Sequence, residues 1–292
     1  MSLVINHNLM AMNAARSLNV SYSKLATSVQ RLSSGLRVNS AQDDAAGLAV
    51  REIMRTDIRV LNQGVRNAND AVSMIQTADG ALSVIDEKLT RMKELAEQAA
   101  TGTYTTAQRL IMDSEYQAMA SEITRIAKAT DFNGVKLLDG SLSGTAVDGT
   151  EQMKIHFGTG NSSAEDYYYV KIGEATASAL GVGAAAGTGK AGSTISTQSA
   201  AQVALEALDS AITTKDNIRA NLGALANRLA NTVSNLSIQA ENLQSAESRI
   251  SDVDVATEMT EFTSNQIKVQ AAVAMLAQAN SLPQLALQLL GG

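Results

Sequence analysis

Cysteine is absent from the 292 residues, which excludes disulfides, thiolate metal sites and a cysteine nucleophile together. Tryptophan is absent too, and only 3 Phe and 6 Tyr stand among the apolar residues. Ala, Leu, Val, Ile and Met must therefore supply the interior, and such side chains suit thin seams between helices better than a thick globular core. The two histidines, His7 and His156, lie far apart in sequence, so a Ser–His–Asp arrangement or a multi-histidine metal site is hard to build. The H-E-x-x-H pattern of a zinc protease is missing, because Phe157 and Gly158 follow His156. No acid/base constellation or phosphate loop takes its place, and neither catalysis nor a cofactor is expected. No uninterrupted apolar run of about 18 residues exists, so no membrane span is expected. The chain also opens without the basic-then-apolar pattern of a secretory signal. The single proline, Pro283, reads as a stop for the last helix.

Charge is as unevenly spread as proline. All 29 acidic residues lie between Asp43 and Glu261. Residues 1–42 carry only Arg16, Lys24, Arg31 and Arg37, and residues 262–292 only Lys268. The two ends resemble each other and differ from the middle.

What is present is helical periodicity. Ala11, Ala15, Leu18, Tyr22, Leu25, Val29 and Leu32 alternate steps of four and three, the spacing of a coiled-coil seam. Gly35 with its Ser and Asn neighbours reads as a stop, and Ser40 with Asp43 as a capping box that starts the next helix. Ile75, Ala78, Leu82, Ile85, Leu89, Met92, Ala96 and Ala99 continue the same spacing, so one helix is predicted from Asp43 to about Ala100. Residues 101–106 form a loop, and Met112, Tyr116, Met119, Ile123 and Ile126 mark a shorter helix. Leu222, Leu229, Leu236, Leu243 and Ile250 then recur every seven residues. Between these regions, residues 134–192 hold 12 of the 20 glycines. Alternation at Met153, Ile155 and Phe157, and at Tyr168, Val170 and Ile172, predicts a hairpin, with aromatics of Tyr167–Tyr169 on both faces. Residues 181–193 read as a flexible stretch with little to bury. The expected fold is mainly α: long antiparallel coiled-coil helices from both ends of the chain, with a small β-hairpin region in the middle.

Five segments carry a resemblance: 32–50 (LSSGLRVNSAQDDAAGLAV), 130–140 (TDFNGVKLLDG), 221–229 (NLGALANRL), 241–259 (ENLQSAESRISDVDVATEM) and 281–290 (SLPQLALQLL). In this order and at both ends, they closely resemble the bacterial flagellins. The resemblance implies a homopolymer, a helical filament for motility, exported unfolded by a type III route and located outside the cell in the flagellum. It implies an inner-tube domain from residues 1–42 and 254–292 and a rod-like domain from residues 43–253. The hairpin region, near 134–192, belongs to the rod, and no separate outer domain is expected. It implies partners as well: an export chaperone on the C-terminal arm, filament-cap and hook-junction proteins, and a host Toll-like receptor. Arg91, Leu95 and Glu115 match the family's receptor-contacting positions. Leu287, Leu289 and Leu290 match leucines used in inner-tube packing and read by cytosolic sensors. The coiled-coil seam is expected at Leu18, Leu25, Leu32, Leu82, Leu89, Leu222, Leu229, Leu236, Leu243 and Ile250. No nucleic acid or membrane partner is expected. Two other readings are a hook–filament junction protein and a secreted membrane-active helical protein. The ending at 281–290 favours a flagellin over the first, and Gln278, Asn280, Ser281, Pro283 and Gln288 interrupt the apolar run that the second needs.

Overall fold

A computed structural model describes residues 7–144, 152–163, 165–187 and 190–290, with side-chain surroundings up to Ser281. The chain divides into two compact units, residues 1–58 with 241–292, and residues 59–240. Six α-helices, two short antiparallel hairpins and one 3-10 turn make up the described residues, a mainly α fold with small β elements in the middle.

In the first unit, α1 (Leu9–Ser34) packs against α6 (Val255–Leu290). Asn8 caps α1, its side chain accepting from the Ala11 N–H at 3.0 Å. Gly35 ends it in a left-handed conformation (φ +72°). The turn that follows is closed by Asp43, whose carboxylate accepts from the backbone N–H of Ser40 and Asn39 and from the Ser40 hydroxyl. Those donors hold the Asp43 carboxyl below its ordinary pKa. α2 (Ala45–Ala100) is capped one residue later, by Asp44 accepting from the Gly47 N–H at 2.9 Å. The predicted capping box is thus corrected: Ser40 belongs to the turn, and the helix starts on Asp44.

In the second unit, α2, α3 (Thr106–Ala129) and α5 (Gln198–Ser251) line one continuous apolar core. The α2 stripe predicted from Ile75 to Ala99 is no more than 2% exposed throughout. On α5, Ala201, Ala204, Leu208, Ala211, Leu222 and Leu229 continue the same spacing, and Lys215 occupies one of these interior positions at 2% exposure. Its ammonium pairs with Asp86 of α2 and with Asp216, while Arg219 Nε donates to Asp79 Oδ1 at 2.7 Å. A charge at a seam position has partners in one register only, so these pairs hold α5 in place along α2. Thr105 and Gln108 form a reciprocal capping box at the start of α3. The guanidinium of Arg109 reaches back to the Ala99 and Thr101 carbonyls and satisfies the end of α2.

The first hairpin, β1 (Asp131–Phe132) with β2 (Val135–Lys136), turns at Asn133 (φ +51°) and Gly134 (φ +82°). Both turn residues have positive φ, as a two-residue Asn-Gly connection requires. The second hairpin, β3 (Met153–His156) with β4 (Tyr167–Val170), pairs Met153 with Val170 and His156 with Tyr167. It lies against α2 at Gly64, where a Cβ would fall 2.0 Å from the Phe157 carbonyl oxygen. Asn67 Nδ2 donates to the His156 carbonyl at 2.9 Å beside it.

The glycine-rich segment after this hairpin departs from the sequence expectation. Residues 177–187 form α4 (Ala177–Leu180) and a 3-10 turn (Ala184–Ala186), and Val182 and Ile195 are fully buried. α3 stitches the segment down. Tyr116 Oη donates to the Gly192 carbonyl at 2.8 Å, Gln117 Nε2 to the Ser193 carbonyl at 2.7 Å, and Asp113 accepts from Ile195 N–H and Thr194 Oγ1. Burial pushes the Tyr116 phenol far above its usual range, so it remains a donor. The composition signals a free linker, but these polar anchors on a different helix order it.

Candidate assembly surface

The α1–α6 pair is antiparallel and tied at one end by backbone. Val253 N–H donates to the Gly35 carbonyl, Arg37 N–H donates to the Ser251 carbonyl, and Leu36 bridges Asp252. Arg31 and Glu258 follow at 3.5 Å, and Asn8 meets Ala279 at the other end. The inward stripe of α6 is Glu258, Phe262, Asn265, Val269, Ala272, Leu276 and Ala279, alternating four and three. On α1 it is Ala11, Leu18, Leu25, Ser28 and Leu32, mostly half-buried. Tyr22 and Val29, expected in this seam, instead stand 51% and 49% exposed. Ser21 and Ser28, one position earlier, turn inward in their place. Small polar residues let the helices meet there, and the larger side chains face out. The seam is also incompletely satisfied: Arg31 Nε and Glu258 Oε1 are buried without a hydrogen-bond partner. Each such atom costs about 1–3 kcal/mol.

The outer faces of these two helices are apolar as well. Thirteen of the nineteen large apolar side chains left exposed among the described residues belong to the smaller unit, residues 1–58 and 241–292. On α1 they include Leu9, Met12 and Val20, and on α6 Ile267 at 60% and Met275 at 61%. Grooves lined by Tyr22, Leu25, Ala26 and Val29, and by Met259, Thr263 and Ile267, run along these faces. Apolar side chains on a helix face turned away from its one neighbour are left in water until a further neighbour covers them. Burying a large apolar side chain contributes about 1.5–3 kcal/mol, so this surface favours association.

Comparison with known proteins decides the family. The bacterial flagellin N-terminal helical region matches residues 5–143, and the flagellin C-terminal helical region matches residues 205–290. The chain belongs to the flagellin family. A flagellin of Halalkalibacterium halodurans is 42% identical over 288 residues, covering 99% of this chain and 100% of that one. The flagellin of Bacillus subtilis is 43% identical over 302 residues, covering 98% and 99%. The solved structure of Bacillus cereus flagellin aligns with 62% of this chain and 94% of its own, at TM-score 0.46 and 29% identity. As a flagellin, the chain is a structural subunit of a polymeric flagellar filament. No helix of the described residues is long and apolar enough to cross a membrane.

The positions singled out by the flagellin resemblance fall in different surroundings. Arg91 on α2 and Glu115 on α3 face each other at 2.9 Å, 49% and 42% exposed. Arg91 also donates to Glu94 at 3.0 Å, and these two carboxylates raise the guanidinium pKa. Leu95, one turn on, is 2% exposed and sits in the core. Its side chain packs inside this unit, beneath the face on which Arg91 is exposed. Leu287, Leu289 and Leu290 lie in the last turns of α6, and their side chains fall outside the described residues. Of the expected seam residues, Leu82, Leu89, Leu222, Leu229 and Leu236 are buried, whereas Leu18, Leu25, Leu32, Leu243 and Ile250 are half-buried. His156 stacks on Tyr167, and no group of three or more metal-ligating side chains occurs among the described residues.

Pro283 gives a further correction. It does not stop α6, which runs on to Leu290. A proline leaves the carbonyl four residues before it without a helical donor, here that of Ala279. Asn8 Nδ2 donates to that oxygen at 2.7 Å. Asn8, Arg109, Lys215 and Gly64 all carry structural work that periodicity does not reveal. Only Lys215, a charge at a heptad position, leaves a trace in the sequence.

Proposed function

We propose that the outer faces of α1 and α6 are where copies of this chain pack to build the filament. The observation that supports this is the concentration of exposed apolar side chains on two helices that carry only three charged residues each. In this reading residues 1–42 and 254–292 form the inner tube and residues 43–253 the surrounding rods. The two ends supply different surfaces, so contacts are heterologous, the kind that extends into an open helical filament where the rotation between copies does not close. The subunit is secreted by a type III route and works extracellularly. Before assembly an export chaperone covers the apolar C-terminal arm, and cap and hook-junction proteins meet the same surfaces at the filament ends. A host Toll-like receptor reads the exposed Arg91–Glu115 pair with Leu95 supporting it from beneath, and cytosolic sensors read Leu287, Leu289 and Leu290.

The test is Ile267→Glu and Met275→Glu, which place charges on the outer face of α6. Both variants are expected to stay helical by circular dichroism. Seeded polymerisation, followed by negative-stain electron microscopy, is expected to need at least about tenfold more protein, since burying an unpaired charge is strongly unfavourable. Normal filaments from both variants would show that this face is not an interface.

A further inference from the structure

We infer that Asn8 is a positioning residue that sets the register of α1 on α6 by supplying the hydrogen-bond donor that Pro283 lacks. Its amide is used at both ends. Oδ1 accepts from the Ala11 N–H at 3.0 Å and caps α1. That bond needs an acceptor, so the donor end of the amide is the one directed at Ala279. Nδ2 lies 2.7 Å from the Ala279 carbonyl oxygen, across 271 residues of sequence. The side chain of Ala279 is 8% exposed, in a place where an unmet carbonyl is costly.

The geometry makes the proline and the asparagine a matched pair. In an uninterrupted helix the N–H of residue 283 would already satisfy the Ala279 oxygen, and the Asn8 bond would only be a second one to it. Proline frees one carbonyl on α6, and the residue that begins α1 fills it. The far end of the pair is tied through Gly35, Arg37, Ser251 and Val253. Arg31 with Glu258 and these backbone ties fix the register at that far end, whereas towards Asn8 the seam runs through Val269, Ala272, Leu276 and Ala279, apolar steps that hold register weakly by themselves. A slipped pair would lose the Asn8 bond and leave the Ala279 oxygen without it. This inference rests on the proposal that the α1–α6 pair is the assembling part of the subunit.

The experiment is a double-mutant cycle on the full chain. Asn8→Asp keeps the acceptor that caps α1 and removes the donor, and Asn8→Ser keeps an uncharged capping oxygen on a side chain too short to carry its hydroxyl across to the Ala279 oxygen. Each is made with Pro283 and with Pro283→Ala, which restores a backbone N–H for Ala279. The readouts are the critical concentration of seeded polymerisation and, on the monomer, hydrogen exchange across residues 9–25. With Pro283, both Asn8 variants are expected to raise the critical concentration roughly three- to tenfold and speed exchange. With Pro283→Ala their effect is expected to fall below about twofold. Equal effects in both backgrounds, or none in either, would overturn the inference. If the unaltered chain forms no filaments, the assembly proposal fails, and monomer exchange alone then decides whether Asn8 and Pro283 are coupled.

Discussion

The two units differ in where their apolar surface goes. In residues 59–240, three helices close on one another, and Leu82, Ile85, Leu89 and Ile123 reach full burial within a single chain. In residues 1–58 and 241–292, α1 has mainly α6 to meet, and Leu18, Leu25 and Leu32 stop at half-burial while the opposite faces remain apolar. The same alternation of three and four produces both results. What separates them is the number of neighbours: three helices can enclose a seam, and two leave most of each circumference open. On the proposal made above, the apolar face left over inside one subunit is the one that meets the next.

Cavity formation draws the sharpest distinction. Leu89→Ala removes a fully buried side chain and is expected to cost about 2–5 kcal/mol in thermal unfolding of the monomer. Leu18→Ala, already half in water, is expected to cost under about 1.5 kcal/mol there, and more in the filament if the proposed packing covers α1. Equal costs in the monomer would erase the contrast between the units. A smaller effect tests the anchoring of residues 181–195. Tyr116→Phe removes the donor to Gly192, whose carbonyl also accepts from Gly183 N–H. The expected loss is about 1 kcal/mol, with faster hydrogen exchange confined to this segment.

Acid should act most gently and locally. Backbone N–H groups of Ser162 and Gly160 hold the Asp166 carboxyl below its ordinary pKa. A carboxylate shifted down contributes stability that is complete above its unfolded pKa and is lost as pH falls through the folded value. The β3–β4 connection is therefore expected to loosen below about pH 4, read by hydrogen exchange at residues 157–166. Asp166→Asn should remove that pH dependence.

Much of this molecule is legible in its sequence because heptads report the helices directly. The stripes at Ile75–Ala99 and Leu222–Leu236 need only a periodic count. Tyr22 and Val29 mislead because Ser21 and Ser28 satisfy the same spacing, and only the partner helix decides between them. The contrast between Arg91 and Leu95 has a related cause. A four-residue step rotates by about 40° on an α-helix, enough at the edge of a buried stripe to separate an exposed Arg91 from a buried Leu95. Pro283 reads as a stop because its remedy comes from residue 8. The segment after β4 reads as a linker because its anchors, Asp113, Tyr116 and Gln117, lie 76 to 82 positions away.

The hairpin loop and the anchored segment also differ in what foreign sequence they would accept. Thr159 to Ser163 stand in solvent, and no core side chain depends on them. A grafted peptide placed there would be displayed while β3 and β4 keep their pairing. The same graft at residues 190–193 would separate Tyr116 and Gln117 from the carbonyls they hold, so these two exposed-looking stretches offer opposite prospects for carrying cargo on this subunit.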